Sequence, residues 1–238
     1  MSFPTEREVL LERIDKFLSP IYWTSSNVHA LMYKSRENIQ NICVYSVQKE
    51  SGALTFQDII CKDFQPTQVG KAFGPTWSTH WFRLEIQVPE EYSGREIWLE
   101  WDSNSEALLY DAAGAEVQAF TGGGGADRRA HCPLFQEAVG GHSSTWYVEM
   151  VGLSMCGNGE GTMISAPSED KHFTLSTCAL VVPNKAGHAL FWDMTVINDL
   201  ARRLPAETPL ARAALRTARK VLNTVDPGAP EASAAAAL

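Results

Sequence analysis

The sequence has no apolar run near the roughly 20 residues that a membrane-spanning helix needs. Its opening, Met1-Ser2-Phe3-Pro4, leads straight into Glu6-Arg7-Glu8 and supplies no apolar core of a secretory leader. No Asn-x-Ser/Thr acceptor occurs. Basic residues are in deficit, with 20 Lys and Arg against 28 Asp and Glu, a formal net charge of −8. That balance argues against a general nucleic-acid binder, whose footprint is basic. Cysteine is sparse and odd in number: Cys43, Cys61, Cys132, Cys156 and Cys178 fit neither a disulfide framework nor a zinc pattern. Reduced thiols in a cytosolic protein are the expectation. There is no internal repeat.

What the chain does have is alternation. Phe82, Leu84, Ile86 and Val88 alternate with Trp81, Arg83, Glu85 and Gln87, the period of a strand with one buried face. Pro89 closes that run, and Tyr92-Ser93-Gly94 turns the chain. Ile97, Leu99 and Trp101 share the next buried face. Asp102-Ser103-Asn104-Ser105 and Asp111-Ala112-Ala113-Gly114 are turns, and strands lie at 107–110 and 115–120. Further strands are expected at 42–47, at 146–153 with Trp146, Val148 and Met150 on one face, and at 173–182. Residues 53–63 fit helix or strand equally. Short consecutive strands with tight turns predict a mainly β chain, an antiparallel β-sandwich.

Helices flank this region. Thr5 and Glu8 form a capping box ahead of Leu10, Leu11, Ile14, Phe17 and Leu18, and Pro20 ends the helix. Its apolar stripe calls for a partner surface, most simply the β region or another subunit. Leu190, Met194, Ile197, Leu200 and Leu204 recur at helical spacing up to Pro205. Thr208-Pro209 opens a last helix, carrying Leu210, Ala214, Ala218, Val221 and Leu222. The alanine-rich tail after Asp226 reads as a linker cut short. The expected division is 1–63, an N-terminal helix and mixed segment packing on the sandwich; 64–185, the sandwich; and 186–238, a helical segment.

Several pieces in order resemble the N-terminal region of cytosolic and vacuolar α-mannosidases of glycoside hydrolase family 38. They are Phe64-Gln-Pro-Thr-Gln-Val-Gly, Phe73-Gly-Pro-Thr-Trp-Ser-Thr-His-Trp-Phe-Arg-Leu and Trp98-Leu-Glu-Trp-Asp-Ser-Asn-Ser-Glu-Ala. Gly157-Asn-Gly-Glu-Gly-Thr-Met-Ile-Ser-Ala-Pro and Val221-Leu-Asn-Thr-Val-Asp-Pro follow. The resemblance implies a galactose-binding-like or jelly-roll sandwich with helical flanks, followed in the family by a zinc-dependent retaining mannosidase domain. The family's His-x-Asp zinc pair is absent: His29, His80, His131, His142, His172 and His188 are each followed two residues on by something else. No catalytic or metal-binding residue is therefore carried over. No cofactor is expected in this chain, with zinc expected in the catalytic domain.

Four residues are candidates for ligand contact: Trp77, Trp81, Asn158 and Gly159. Even spacing places Trp77 and Trp81 on one face of a strand, where indoles stack on sugar rings or pack on protein. Asn158-Gly159 suits a turn with positive φ, and an Asn amide bonds sugar hydroxyls. His80 has core-facing parity and reads as a hydrogen-bonded core residue. Asp102, Glu106 and Asp111 read as solvated turn tips more simply than as a glycosidase acid/base pair. The glycines at 122–125 lack the helix and Lys-Ser/Thr of a phosphate cradle and read as a loop, with Arg128 and Arg129 solvated.

The resulting expectation is the non-catalytic N-terminal portion of an α-mannosidase acting on free oligosaccharides, inactive alone. It docks on the catalytic domain, shapes the active site and joins subunits of a homo-oligomer. It is cytoplasmic, with vacuolar delivery as the other destination, and contacts neither nucleic acid nor membrane. A free-standing module binding mannose-containing oligosaccharide and a scaffold for oligomerisation or cargo recognition are the alternatives.

Overall fold

The computed structural model describes residues 4–47, 52, 54–122, 128–153, 168, 170–226 and 237. They form two compact units: residues 36–181, and residues 1–35 together with 182–238.

The first unit is a β-sandwich. Its longest strands are β5 (Thr79–Gln87) and β10 (Ser143–Val151), which pair antiparallel along their whole length. With β2 (Asn41–Ser46), β3 (Gln65–Thr67), β7 (Ala107–Tyr110) and β8 (Glu116–Phe120) they make a six-stranded sheet in the order β3-β2-β5-β10-β7-β8. The second sheet runs β1-β12-β6-β9, with β1 at Tyr33–Asn38, β6 at Ile97–Asp102, β9 at His131–Phe135 and β12 at Thr177–Pro183. A two-stranded ribbon pairs β4 (Ala72–Phe73) with β11 (Phe173–Thr174).

Alternation explains the core between the sheets. Phe82, Leu84 and Ile86 of β5 and Val148 and Met150 of β10 are buried, as are Ile97, Leu99 and Trp101 of β6. Phe82 meets Trp101 edge to face at 5.0 Å, joining one sheet to the other. Each such large side chain contributes on the order of 1.5–3 kcal/mol through burial. The mainly antiparallel β fold with flanking helices is thus as expected. One detail differs: β5 and β6, consecutive in the chain, lie in different sheets, so residues 88–96 cross between layers.

The second face of β5 is buried only near its start. There α2 (Phe56–Ile59), opened by a Thr55–Asp58 capping box, lays Phe56 over Trp81, Tyr110 and Tyr147. The segment that fitted helix or strand is therefore helical at its centre. The strand expected at 173–182 is interrupted at Leu175–Ser176, and β12 is buried on both faces.

The second unit is helical. α1 (Glu6–Leu18) has the expected capping box. It packs on α3 (Lys185–Arg203) and α4 (Pro209–Thr224) through Leu10, Leu11, Ile14 and Phe17 against Leu190, Met194, Ala214 and Ala218. Arg7 adds a hydrogen bond of 2.6 Å to the Ala201 carbonyl. The units group residues 1–63 differently from the expectation, while the change to helix near 185 matches the start of α3. The stripe of α1 is covered by helices nearly two hundred residues away, and residues 36–63 belong with the sandwich. No described helix is long and apolar enough to cross a membrane.

Candidate functional site

Among the described residues singled out from the sequence, Trp77, His80, Asp102, Glu106 and Arg128 lie toward one end of the sandwich. The turn at 74–78 precedes β5 there. Trp77 stands at its tip with φ 68° and 59% exposure, a left-handed conformation that is an outlier for a bulky residue. Its N–H donates to the Gly152 carbonyl at 2.9 Å, and the Gly152 N–H donates to the Ser78 carbonyl at 2.8 Å. Thr76 Oγ1 donates to the Ser168 carbonyl at 2.7 Å. Gly74 abuts His172, where an added Cβ would lie 2.8 Å from the imidazole, so only glycine fits there without displacement.

The turn at 102–106 borders the same end. Asp102 pairs with Arg128, and its Oδ1 accepts the Asn104 N–H at 2.8 Å. The Glu106 N–H donates to the Leu153 carbonyl at 3.2 Å. Gly122 lies against Ser105 so closely that a Cβ would meet its backbone nitrogen at 1.9 Å. Segments 123–127 and 154–167 leave from Gly122 and Leu153 and rejoin the described chain at Arg128 and Ser168. Asn158 and Gly159 lie outside the described residues.

Asp111 does not join Asp102 and Glu106 at this end. Asp111 follows β7 at the far end of that strand, where its Oδ1 caps the hairpin by accepting the N–H groups of Ala113 and Ala115 at 2.9 Å. Asp102 is ion-paired. Neither is arranged as one half of an acid/base pair. Among the described residues no three His, Cys, Asp or Glu side chains come together to hold a metal. The described cysteines, Cys43, Cys61, Cys132 and Cys178, are free thiols, and burial pushes the Cys132 thiol up to about 11.

Trp77 and Trp81 do not share a face. The strand begins at Thr79, so the period-of-two argument does not extend to Trp77. Trp81 is 2% exposed beneath Phe56 and Tyr110 and serves as packing. His80 is 4% exposed, on the core-facing parity read from the sequence. Its Nδ1 lies 2.8 Å from Ser46 Oγ and its Nε2 2.8 Å from Ser78 Oγ. Arg128 is ion-paired and not simply solvated.

Sequence reasoning missed Trp23. In the helical unit it too is left-handed, φ 56°, and 56% exposed, beside exposed Ile21 and Tyr22. The bend is built from Asn27, whose amide donates to the carbonyls of Lys16, Ser19 and Tyr22 at 3.3, 2.8 and 3.0 Å. The run Ile21-Tyr22-Trp23, following Pro20 outside the helical period, was the available signal. A groove of about 400 Å³ lined by Glu12, Asp15, Lys16, Ser19, Tyr22 and Trp23 lies alongside.

The two antiparallel sheets make a jelly-roll type of β-sandwich, with no cluster of three metal-ligating side chains among its described residues. The chain belongs to the family described as alpha-mannosidase, jelly roll domain, whose profile matches residues 38–181. Human alpha-mannosidase 2C1 is 34% identical over 224 residues, covering 93% of this chain and 21% of that protein. Alpha-mannosidase G of Dictyostelium discoideum is 27% identical over 219 residues, 91% of this chain and 20% of that protein. The chain thus spans about a fifth of the length of the curated relatives it matches. Among solved structures, a β-glucuronidase from Faecalibacterium prausnitzii superposes on 63% of this chain and 32% of its own, with TM-score 0.44 and 10% identity.

Proposed function

We propose that this chain is the non-catalytic N-terminal portion of an α-mannosidase that hydrolyses α-linked mannose of free oligosaccharides in the cytoplasm. It docks on the catalytic portion of the same polypeptide, shapes the active-site rim and joins subunits of a homo-oligomer. Alone it has no mannosidase activity. On this reading zinc is held by the catalytic portion.

The carrying observation is Trp77. A large indole held in left-handed backbone and turned to solvent costs about 1–2 kcal/mol in conformation. It gains little burial in return, so a contact made elsewhere accounts for it. Trp23 gives the helical unit a second indole of the same kind.

The test is Trp77→Ala in the polypeptide of the relatives' length. The docking reading expects weakened assembly by mass measurement, or a changed kcat or KM on an aryl α-mannoside. Unaltered assembly and kinetics would remove it. A carbohydrate-binding module is the second reading, favoured by the same exposed indole. Calorimetric heat from mannobiose added to the 238-residue chain, abolished by Trp77→Ala, would select it.

A further inference from the structure

The proposed docking function leaves His80 unexplained. It is buried and titratable, and both of its ring nitrogens are used. The donor directions around it are fixed by one hydroxyl. Ser78 Oγ donates to the Pro75 carbonyl at 2.5 Å, which commits its only proton. His80 Nε2, 2.8 Å from the same oxygen, must therefore be the donor in that pair. Nδ1 is then the acceptor, taking the proton of Ser46 Oγ at 2.8 Å.

The chain of bonds runs from β2 through Ser46, the imidazole and Ser78 to Pro75, two residues before Trp77. Phe73 stacks obliquely against the ring at 5.4 Å and holds its plane. On the other side of the turn His172 walls off Gly74, with its own Nδ1 donating to the Asp170 carbonyl at 2.9 Å. The turn is thus clamped from both ends, and the His80 link adds a side-chain tie to β2 beside the backbone bonds that Trp77 and Ser78 make with Gly152.

We propose that His80 is a positioning residue, a donor at Nε2 and an acceptor at Nδ1 that ties the Trp77 turn to β2 and fixes the exposed indole for its contact. The assignment rests on the docking reading for its purpose, but not for its geometry. A core histidine retained only for volume needs no such pair of directed bonds. An imidazole is a rigid spacer with its two polar atoms on opposite edges, which suits bridging a strand to a turn.

The experiment labels the 238-residue chain with 5-fluorotryptophan and reads the fluorine spectrum, with Trp77→Phe assigning one line among those of the seven tryptophans. His80→Asn retains an acceptor near the Nδ1 position but is too short to reach Ser78. His80→Gln places an amide donor near the Nε2 position. The expected result is that His80→Asn moves the Trp77 line toward its unfolded position while the others stay, and that His80→Gln restores it. A Trp77 line unmoved in His80→Asn, or all lines moving alike in both variants, would overturn the proposal. Should His80→Asn fail to fold, Ser78→Ala breaks the same link from the half-exposed side. It is expected to move the Trp77 line selectively, and an unmoved line there would equally overturn the proposal. Because the spectrum is taken without a partner, it can fail while Trp77→Ala still disrupts the longer polypeptide, and the reverse.

Discussion

Trp77 and Gly152 are joined by a 2.9 Å backbone bond from the Trp77 amide N–H to the Gly152 carbonyl, although 75 positions separate them. The bond fastens the turn that carries the exposed indole beside the end of β10, while Trp81 is buried, so the two tryptophans have separate roles. Trp81→Ala is expected to destabilise the chain by about 3–5 kcal/mol, as a large buried ring leaves a cavity. Trp77→Gly is expected to change stability by no more than about 1 kcal/mol, since relief of the left-handed backbone offsets lost contact and added chain entropy. Urea unfolding of both variants checks this. A loss at Trp77 equal to that at Trp81 would contradict the assignment.

His80 predicts a pH dependence. Burial, with His172 nearby, lowers its pKa from the ordinary 6.5 to about 4. The unfolded chain takes up a proton near 6.5 and the folded chain only near 4, so the unfolded state binds more protons in between. Stability contributed by the neutral ring is present above about pH 6.5 and is lost as pH falls through about 4. The shift corresponds to roughly 3 kcal/mol at most. Burial also lowers His29 and His131, which act in the same direction. Urea midpoints between pH 7.5 and 4 should fall, and less steeply in His80→Gln.

Much of this was legible because it is local. Strict alternation marked β5, β6 and β10, and the Thr5 and Thr208 caps marked two helices. What failed was not local. β1 reads Tyr-Lys-Ser-Arg-Glu-Asn, with no apolar face to betray a strand. β3 and β9 contain Pro66 and Pro133, which argue against strands by sequence but are tolerated because both are edge strands of their sheets. The partner of α1 lies at the other end of the chain. Trp77 was misassigned because alternation was extended two residues beyond where the strand begins. The Thr55–Asp58 box that opens α2 was present in the sequence and was overlooked, since Asp in place of Glu weakens the pattern.

Asn27→Ala should loosen the helical unit. The two protons of the buried amide are shared among three carbonyls around the end of α1, and its oxygen accepts the His29 N–H at 2.9 Å. Its loss is expected to destabilise by about 2–3 kcal/mol. Thermal unfolding would show it, and a neutral result would contradict the role given to Asn27 in shaping the Trp23 bend.

Gly122→Ala tests the loop end. The added methyl would fall 1.9 Å from the Ser105 nitrogen, against backbone that cannot swing aside. A loss of at least about 2 kcal/mol is expected by chemical denaturation. Full tolerance would show that the 102–106 turn is not held as described.

The claim that these indoles exist for a protein partner is tested most directly by hydroxyl-radical footprinting. It compares the 238-residue chain with the polypeptide of the relatives' length, using exposed Val139 as the internal reference. The account predicts that Trp77 reacts readily in the short chain and is protected in the long one while Val139 is unchanged. Equal reactivity of Trp77 in both would contradict it.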